Sequence, residues 1–148
     1  MNANQQTDII KAYVAAFTTL RADNIDTLLK MIDDNVRFSD PFNDVYGKVG
    51  FQAIFDHMFK TCDNPCFVVT DIAHSDQVAY LRWDMTATLK NWPKSGLFLS
   101  GMSEIHIGDN GLISAHIDHW DSASQLLAKL PIINVLIHPI LRRFRIPV

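Results

Sequence analysis

The hydrophobic pattern of this sequence changes its period near residue 65, and this change constrains the fold more than any other feature. Before that point, apolar residues recur every three or four positions, which predicts amphipathic helices. After it, apolar and polar residues alternate as far as residue 120, which predicts β-strands. Helices followed by a run of strands with short links indicate an α+β fold with an antiparallel meander.

Three amphipathic stretches occupy the helical half. They predict helices over residues 5–21, 24–32 and 49–60. Asp23 or Asn24 is expected to cap the second helix. A short strand at 36–40 lies between the second and third helices and ends before Pro41.

Four alternating segments occupy the second half. They predict strands over residues 66–74, 77–89, 97–107 and 112–120. A hairpin connection at 91–96 and a GDNG turn at 108–111 join them, and Asp63-Asn64-Pro65 is expected to be a turn. Helices packed on one face of a strongly bent antiparallel sheet leave a concave pocket between the two layers.

Charge is distributed unevenly along the 148 residues. Residues 1–121 carry nine Lys and Arg against 16 Asp and Glu, whereas residues 122–148 carry four basic residues and no acid. The negative net charge of residues 1–121 argues against nucleic-acid binding. We expect one pocket-bearing domain at 5–121 and an apolar, basic helical extension at 122–148.

The extension has two interpretations. It packs on the domain, over the pocket mouth or against a dimer partner, or it contacts a membrane surface through Arg142, Arg143 and Arg145 beside apolar residues. Pro131 and Pro139 are expected to break it into short helical pieces.

Several classes of site have no support in the sequence. Cys62 and Cys66 lack a second pair for a four-ligand zinc site or a disulfide framework. Dinucleotide, P-loop and serine-hydrolase motifs are absent, so no cofactor and no metal are implied. The polar start MNANQQTD lacks a signal-peptide pattern, and the expected location is the cytoplasm.

Two residues of the helical half are candidates for proton chemistry. Asp40 either caps a turn or places a carboxylate at the mouth of the apolar pocket, where desolvation would raise its pKa and suit it to proton transfer. Tyr13 lies on the buried stripe of the first helix. It is either a core residue or a phenol that donates to a developing oxyanion.

Side-chain alternation groups further candidates on two strands. Arg82 and Asp84 share a face, as an exposed ion pair or as part of a site. On the last strand Asp118 is a candidate general base and shares its face with His116 and Trp120.

Three stretches resemble the nuclear-transport-factor-2-like (NTF2-like) superfamily, also called SnoaL-like or ketosteroid-isomerase-like. They are YVAAF (13–17) with DNIDTLLKMIDDNVRFSDP (23–41), VYGKVGFQAIF (45–55) and GLISAHIDHWD (111–121). The resemblance implies a cystatin-like cone, in which three N-terminal helices pack on a strongly bent antiparallel sheet. It also implies a homodimer formed through the outer sheet face, where Leu81, Trp83 and Met85 would need cover.

Two subfamilies suggest different chemistry. The resemblance to ketosteroid isomerases implies that Asp40 shuttles a proton and that Tyr13 polarises the substrate oxygen. Ser103 stands where that family places a protonated aspartate, a neutral carboxylic acid that donates a hydrogen bond. The resemblance to limonene epoxide hydrolases implies instead a catalytic triad of Asp118, Arg82 and Asp84.

The resulting expectation is general acid–base isomerisation, or a related proton transfer, on a small apolar molecule. Asp40 is the expected base, Tyr13 the donor, and Asp118 with Arg82 and Asp84 a second polar group in the same cavity. An epoxide hydrolase and a non-catalytic apolar-ligand-binding domain are the alternatives. The residues expected to bind substrate are Phe38, Phe55, Tyr80, Ser103, His116 and Trp120.

Overall fold

A computed structural model describes residues 3–90 and 96–144. Within them the helices are α1 (Ala3–Thr18), α2 (Asp26–Leu29), α3 (Gly47–Thr61), α4 (Ser122–Gln125) and α5 (Pro131–Arg143). The strands are β1 (Ile32–Ser39), β2 (Asp44–Tyr46), β3 (Cys62–His74), β4 (Val78–Leu89), β5 (Gly96–Ile107) and β6 (Ile113–Trp120). A short 3-10 turn, Leu127–Lys129, separates α4 from α5.

One curved sheet of six strands holds the fold together, in the order β2-β1-β6-β5-β4-β3. Strands β3 to β6 form the antiparallel meander that the short links predict. The sheet is nevertheless mixed, because β1 pairs parallel with β6. Since a parallel pair needs a long connection, the local links that reveal the meander give no sign of this pairing.

The inner face of the sheet is apolar and packs against α1 and α3. Strand β4 shows the alternation, because Leu81, Trp83 and Met85 are buried whereas Tyr80 and Arg82 are exposed. The expectation that Leu81, Trp83 and Met85 lie on the outer face, in need of cover, is therefore wrong. The helical layer already covers the apolar side of this strand.

Some boundaries differ from the sequence prediction. Helix α2 is a single turn, because Ile32 already begins β1. The side chain of Asn24 does not cap this helix and instead accepts a hydrogen bond from the Arg21 amide. Residues 63–65, expected to be a turn, lie within β3. Asn64 there has a φ of 48°, and the pairing with β4 shifts at that point, as in a β-bulge.

The prolines of the extension act differently from the prediction. Pro131 begins α5 at its first turn, where a missing N–H costs nothing. Pro139 lies inside the helix and does not end it. No helix among the described residues has the length and apolar character needed to cross a bilayer. The predicted connection at 91–96 and Arg145 lie outside the described residues, except for Gly96 at the start of β5.

Candidate functional site

A cavity of about 500 Å³ lies between the helical layer and the inner face of the sheet. Its walls are mostly aromatic and aliphatic, and include Phe17, Phe38, Phe55, Phe67, Trp83, Met85, Leu97, Leu99 and Trp120. Two carboxylates, Asp40 and Asp118, also line it. Phe42 stands at the rim, since it lines the cavity while 52% exposed, and its ring packs edge-on against Trp120.

Asp118 is held by two hydrogen bonds at one of its two oxygens. Its Oδ1 accepts a hydrogen bond from the Ser103 hydroxyl and lies 2.9 Å from Nε2 of His116. Ser103 in turn accepts a hydrogen bond of 2.8 Å from the indole N–H of Trp83. No described residue donates a hydrogen bond to Oδ2, which leaves that oxygen free for a molecule in the cavity.

The register of the sheet explains this arrangement. Ser103 on β5 lies directly opposite Asp118 on β6, and on its other side it faces Leu81 of β4. His116 stands two residues before Asp118, so both side chains point to the same face. Facing positions on neighbouring strands thus bring a serine, a carboxylate and an imidazole together.

Tyr13 completes the chain of hydrogen bonds from α1. Its hydroxyl lies 2.8 Å from Nδ1 of His116, and both side chains are buried. Burial raises the pKa of Tyr13 well above its usual value, and the charge of Asp118 raises it further. The phenol therefore keeps its proton. Because the Asp118 carboxylate only accepts, His116 donates its Nε2–H to Oδ1, and in the neutral imidazole the Tyr13 hydroxyl donates to Nδ1.

Asp40 is engaged by its own turn. Its Oδ1 accepts hydrogen bonds from the backbone amides of Phe42 and Asn43, both at 2.7 Å, and the Asn43 side-chain amide lies 3.0 Å from each carboxylate oxygen. This is the turn-capping arrangement that an aspartate before a proline favours. Asp40 thus lies at the cavity with its lone pairs largely occupied.

The structure separates the candidate residues into three groups. Those that line the cavity are Phe38, Asp40, Phe55, Asp118 and Trp120. The second group is buried directly behind Asp118 and consists of Tyr13, Ser103 and His116. None of these three residues lines the cavity, and the hydroxyl of Tyr13 contacts His116 instead. Tyr80, Arg82 and Asp84 belong to the outer face of β4.

The expectation that Arg82 and Asp84 share the cavity with Asp118 is therefore wrong. The physical reason is the pleat of β4, which sends alternate side chains to opposite faces of the sheet. The helices cover the face that carries Trp83, so its neighbours at positions 82 and 84 must face outwards.

Trp83 is a functional residue that the sequence analysis misses. It lines the cavity and also donates to Ser103. The signal is present in the alternation of β4, since the helices cover the apolar side of a half-buried strand. Among the described residues, no group of three or more His, Cys, Asp or Glu side chains is arranged to hold a metal ion.

The fold and the mostly apolar cavity between its helices and sheet define an NTF2-like α+β protein. The sequence profile of the SnoaL-like domain matches residues 10–116, and the chain belongs to this family. No curated protein matches the sequence.

Solved structures share the fold at low sequence identity. An NTF2-like protein of unknown function from Burkholderia pseudomallei aligns with a TM-score of 0.72 and 14% identity, over 88% of this chain and 98% of that one. A putative polyketide cyclase from Xanthomonas campestris aligns with a TM-score of 0.67 and 15% identity, over 84% and 96%. The epoxide hydrolase/cyclase-like enzyme SalBIII, with a role in pyran ring formation in the polyether salinomycin, aligns with a TM-score of 0.69 and 11% identity, over 81% and 93%.

Proposed function

We propose that this protein is an acid–base enzyme that transfers a proton on a small apolar carbonyl compound, with Asp118 as the group that takes and returns the proton. One observation carries the proposal. Asp118 lines a mostly apolar cavity with Oδ2 free, while Ser103 and His116 fix Oδ1. A positioned carboxylate in a mostly apolar pocket suits proton abstraction next to a carbonyl group.

Trp120 supplies a donor on the same side of the cavity. It lies two residues after Asp118 on β6, and its indole N–H makes no hydrogen bond to a described residue. Because both side chains face the cavity, a carbonyl oxygen near Trp120 and its neighbouring carbon near Asp118 fit one bound molecule. When Asp118 removes the proton, the electrons of the C–H bond form an enolate, whose oxygen the indole N–H stabilises.

The second half of the reaction returns the proton. In a β,γ-unsaturated ketone the enolate is a dienolate, and protonated Asp118 delivers the proton to its γ-carbon, which isomerises the substrate. In a substrate with a second carbonyl group, the enolate carbon attacks that group and closes a ring, and protonated Asp118 gives its proton to the alkoxide that forms. The similar folds include a putative polyketide cyclase and an epoxide hydrolase/cyclase-like enzyme, which supports a substrate of polyketide-like or lipid-like character.

This assignment gives Asp118 the role that the ketosteroid-isomerase resemblance gives to Asp40. The four hydrogen bonds that Asp40 accepts within its own turn favour the change, because they occupy its oxygens. Ser103, His116 and Tyr13 act through Asp118 as positioning residues.

The test uses two simple probes. One is a β,γ-unsaturated cyclic ketone, whose conjugation is followed by ultraviolet absorbance, and the other is cyclohexene oxide. We expect the native chain to conjugate the ketone, and Asp118→Asn to lower kcat by about 10²–10⁴. Asp40→Asn is the matched control, because an amide oxygen still accepts from the turn, and it should retain the native rate.

The outcomes separate the alternatives. Opening of the epoxide without ketone conjugation would indicate a hydrolase, although without Arg82 and Asp84 beside Asp118. Tight binding of both probes with no turnover would indicate a binding domain. A loss of activity in Asp40→Asn with none in Asp118→Asn would overturn the assignment of the base.

A further inference from the structure

Helix α5 exposes an apolar face of unusual extent. Ile132, Val135, Leu136 and Ile140 are between 60% and 78% exposed, and Phe144 at the end of the helix is 81% exposed. The less exposed side of the helix carries further aliphatic residues, among them Ile133 and Ile137. The surface of a soluble monomer rarely presents so many large apolar side chains together, and such a face indicates an interaction site.

The charge of this segment indicates what the face binds. Residues 122–148 contain no acid, and Arg142 and Arg143 stand exposed in the last turn of α5. Neither guanidinium forms an ion pair with a described residue. The rest of the chain has a net charge of −7, so only this end is complementary to a negatively charged surface.

We propose that α5 docks the protein on an anionic lipid surface. The exposed aliphatic side chains enter the boundary of the acyl chains, while Arg142 and Arg143 bind the headgroups. A fluid hydrocarbon layer suits this face because, before the arginines, its exposed positions are aliphatic or proline and none is polar.

The position of the cavity adds a second argument. Leu126 lines the cavity and packs against the apolar cluster around Trp83, and Gln125 ties this part of the chain to Ser100 of β5 by two hydrogen bonds. Pro131 follows Leu126 by five positions, a span of at most about 18 Å. Docking through α5 therefore brings the cavity rim close to the lipid surface, where an apolar molecule can enter without crossing water. The docking itself does not depend on the chemistry proposed for Asp118.

Vesicle co-sedimentation of the full chain tests the proposal. Vesicles of phosphatidylcholine alone are compared with equimolar phosphatidylcholine and phosphatidylglycerol. We expect binding to the mixed vesicles, weakened about tenfold or more by Leu136→Gln with Ile140→Gln. Arg142→Gln with Arg143→Gln should weaken binding about tenfold or more at low salt and reduce its salt dependence. All four positions are exposed, so the fold is retained, as circular dichroism would check.

The matched control is Val49→Gln, which removes an 85% exposed aliphatic side chain from α3 and should leave binding unchanged. Hydrogen exchange gives an independent readout, since the amides of α5 should gain protection on mixed vesicles while those of α3 do not. Failure of the native chain to sediment, or sedimentation that survives both α5 variants, would overturn the proposal. If these variants instead convert a dimer into a monomer, without any vesicle binding, α5 is an interface between copies of the chain.

Discussion

The hydroxyl of Tyr13 lies 2.8 Å from Nδ1 of His116 and joins residues 103 positions apart in the sequence. This contact fixes the imidazole that supports Asp118 from behind, so the first helix positions a group on the last strand. Both side chains are buried, and among the described residues no buried side-chain nitrogen or oxygen lacks a hydrogen-bond partner. The hydrogen bonds from Tyr13 through His116 to Oδ1 of Asp118 are therefore complete without a substrate, and Oδ2 alone is left free by the described residues.

Replacing Tyr13 by phenylalanine tests this contact. The change leaves Nδ1 of His116 buried without a donor, which should lower the free energy of unfolding by about 1–3 kcal/mol in urea denaturation. Tyr46→Phe is the matched control, since Tyr46 is 67% exposed, and should change stability by less than about 0.5 kcal/mol. Equal stabilities for the two variants would show that the Tyr13 hydroxyl contributes nothing.

The raised pKa of Tyr13 predicts a loss of stability at alkaline pH. The folded state keeps the phenol protonated, whereas in the unfolded chain tyrosine ionises with a pKa of about 10. Unfolding therefore releases a proton above about pH 10, and this residue should lower stability by about 1.4 kcal/mol for each further pH unit. Urea denaturation from pH 9 to 11 should show a shallower decline in Tyr13→Phe than in Tyr46→Phe, and parallel declines would contradict the assignment.

Much of the fold follows from local patterns in the sequence. Alternating segments locate β3 to β6 because one face of each strand packs against helices. The parallel pairing of β1 with β6 escapes such reasoning, because it joins segments that no local turn connects. Pro139 is a similar case, because a proline in a helical pattern predicts a break in the helix, yet α5 continues through it.

Local sequence patterns also predict only part of the candidate site. The sequence places Asp118 with His116 on one face of a strand, and the structure agrees. The alternation of β4 marks the side of Trp83 as the apolar side that helices would cover. The resemblance to limonene epoxide hydrolases instead places the site on the charged side, with Arg82 and Asp84. Asp40 could be assigned either to a turn or to a site from its position before Pro41, and only the structure shows its four hydrogen bonds.

The packing of two tryptophan side chains leaves room only for a glycine at position 101. Gly101 lies on β5 between Trp83 of β4 and Trp120 of β6, and an added Cβ would lie 2.7 Å from the Trp83 ring and 2.8 Å from the His119 carbonyl oxygen. Gly101→Ala should therefore cost about 1–3 kcal/mol of stability and reshape this end of the cavity. Gly96→Ala is the control, because no atom of the described residues lies within 4 Å of its added Cβ. Thermal denaturation and intrinsic tryptophan fluorescence measure the two effects, and an unchanged Gly101→Ala protein would contradict the packing described.

The outer-face position of Arg82 and Asp84 gives the last prediction. Because neither side chain lines the cavity, Arg82→Gln and Asp84→Asn should each leave turnover of the ketone and epoxide probes within about twofold of the native rate, a change of about 0.4 kcal/mol in activation free energy. An epoxide hydrolase built on Asp118, Arg82 and Asp84 would instead lose most of its epoxide turnover in both variants. Measuring kcat and KM for both probes, with Asp118→Asn as the inactive reference, separates these cases. A large fall in kcat for Arg82→Gln at unchanged stability would show that the outer face takes part in catalysis.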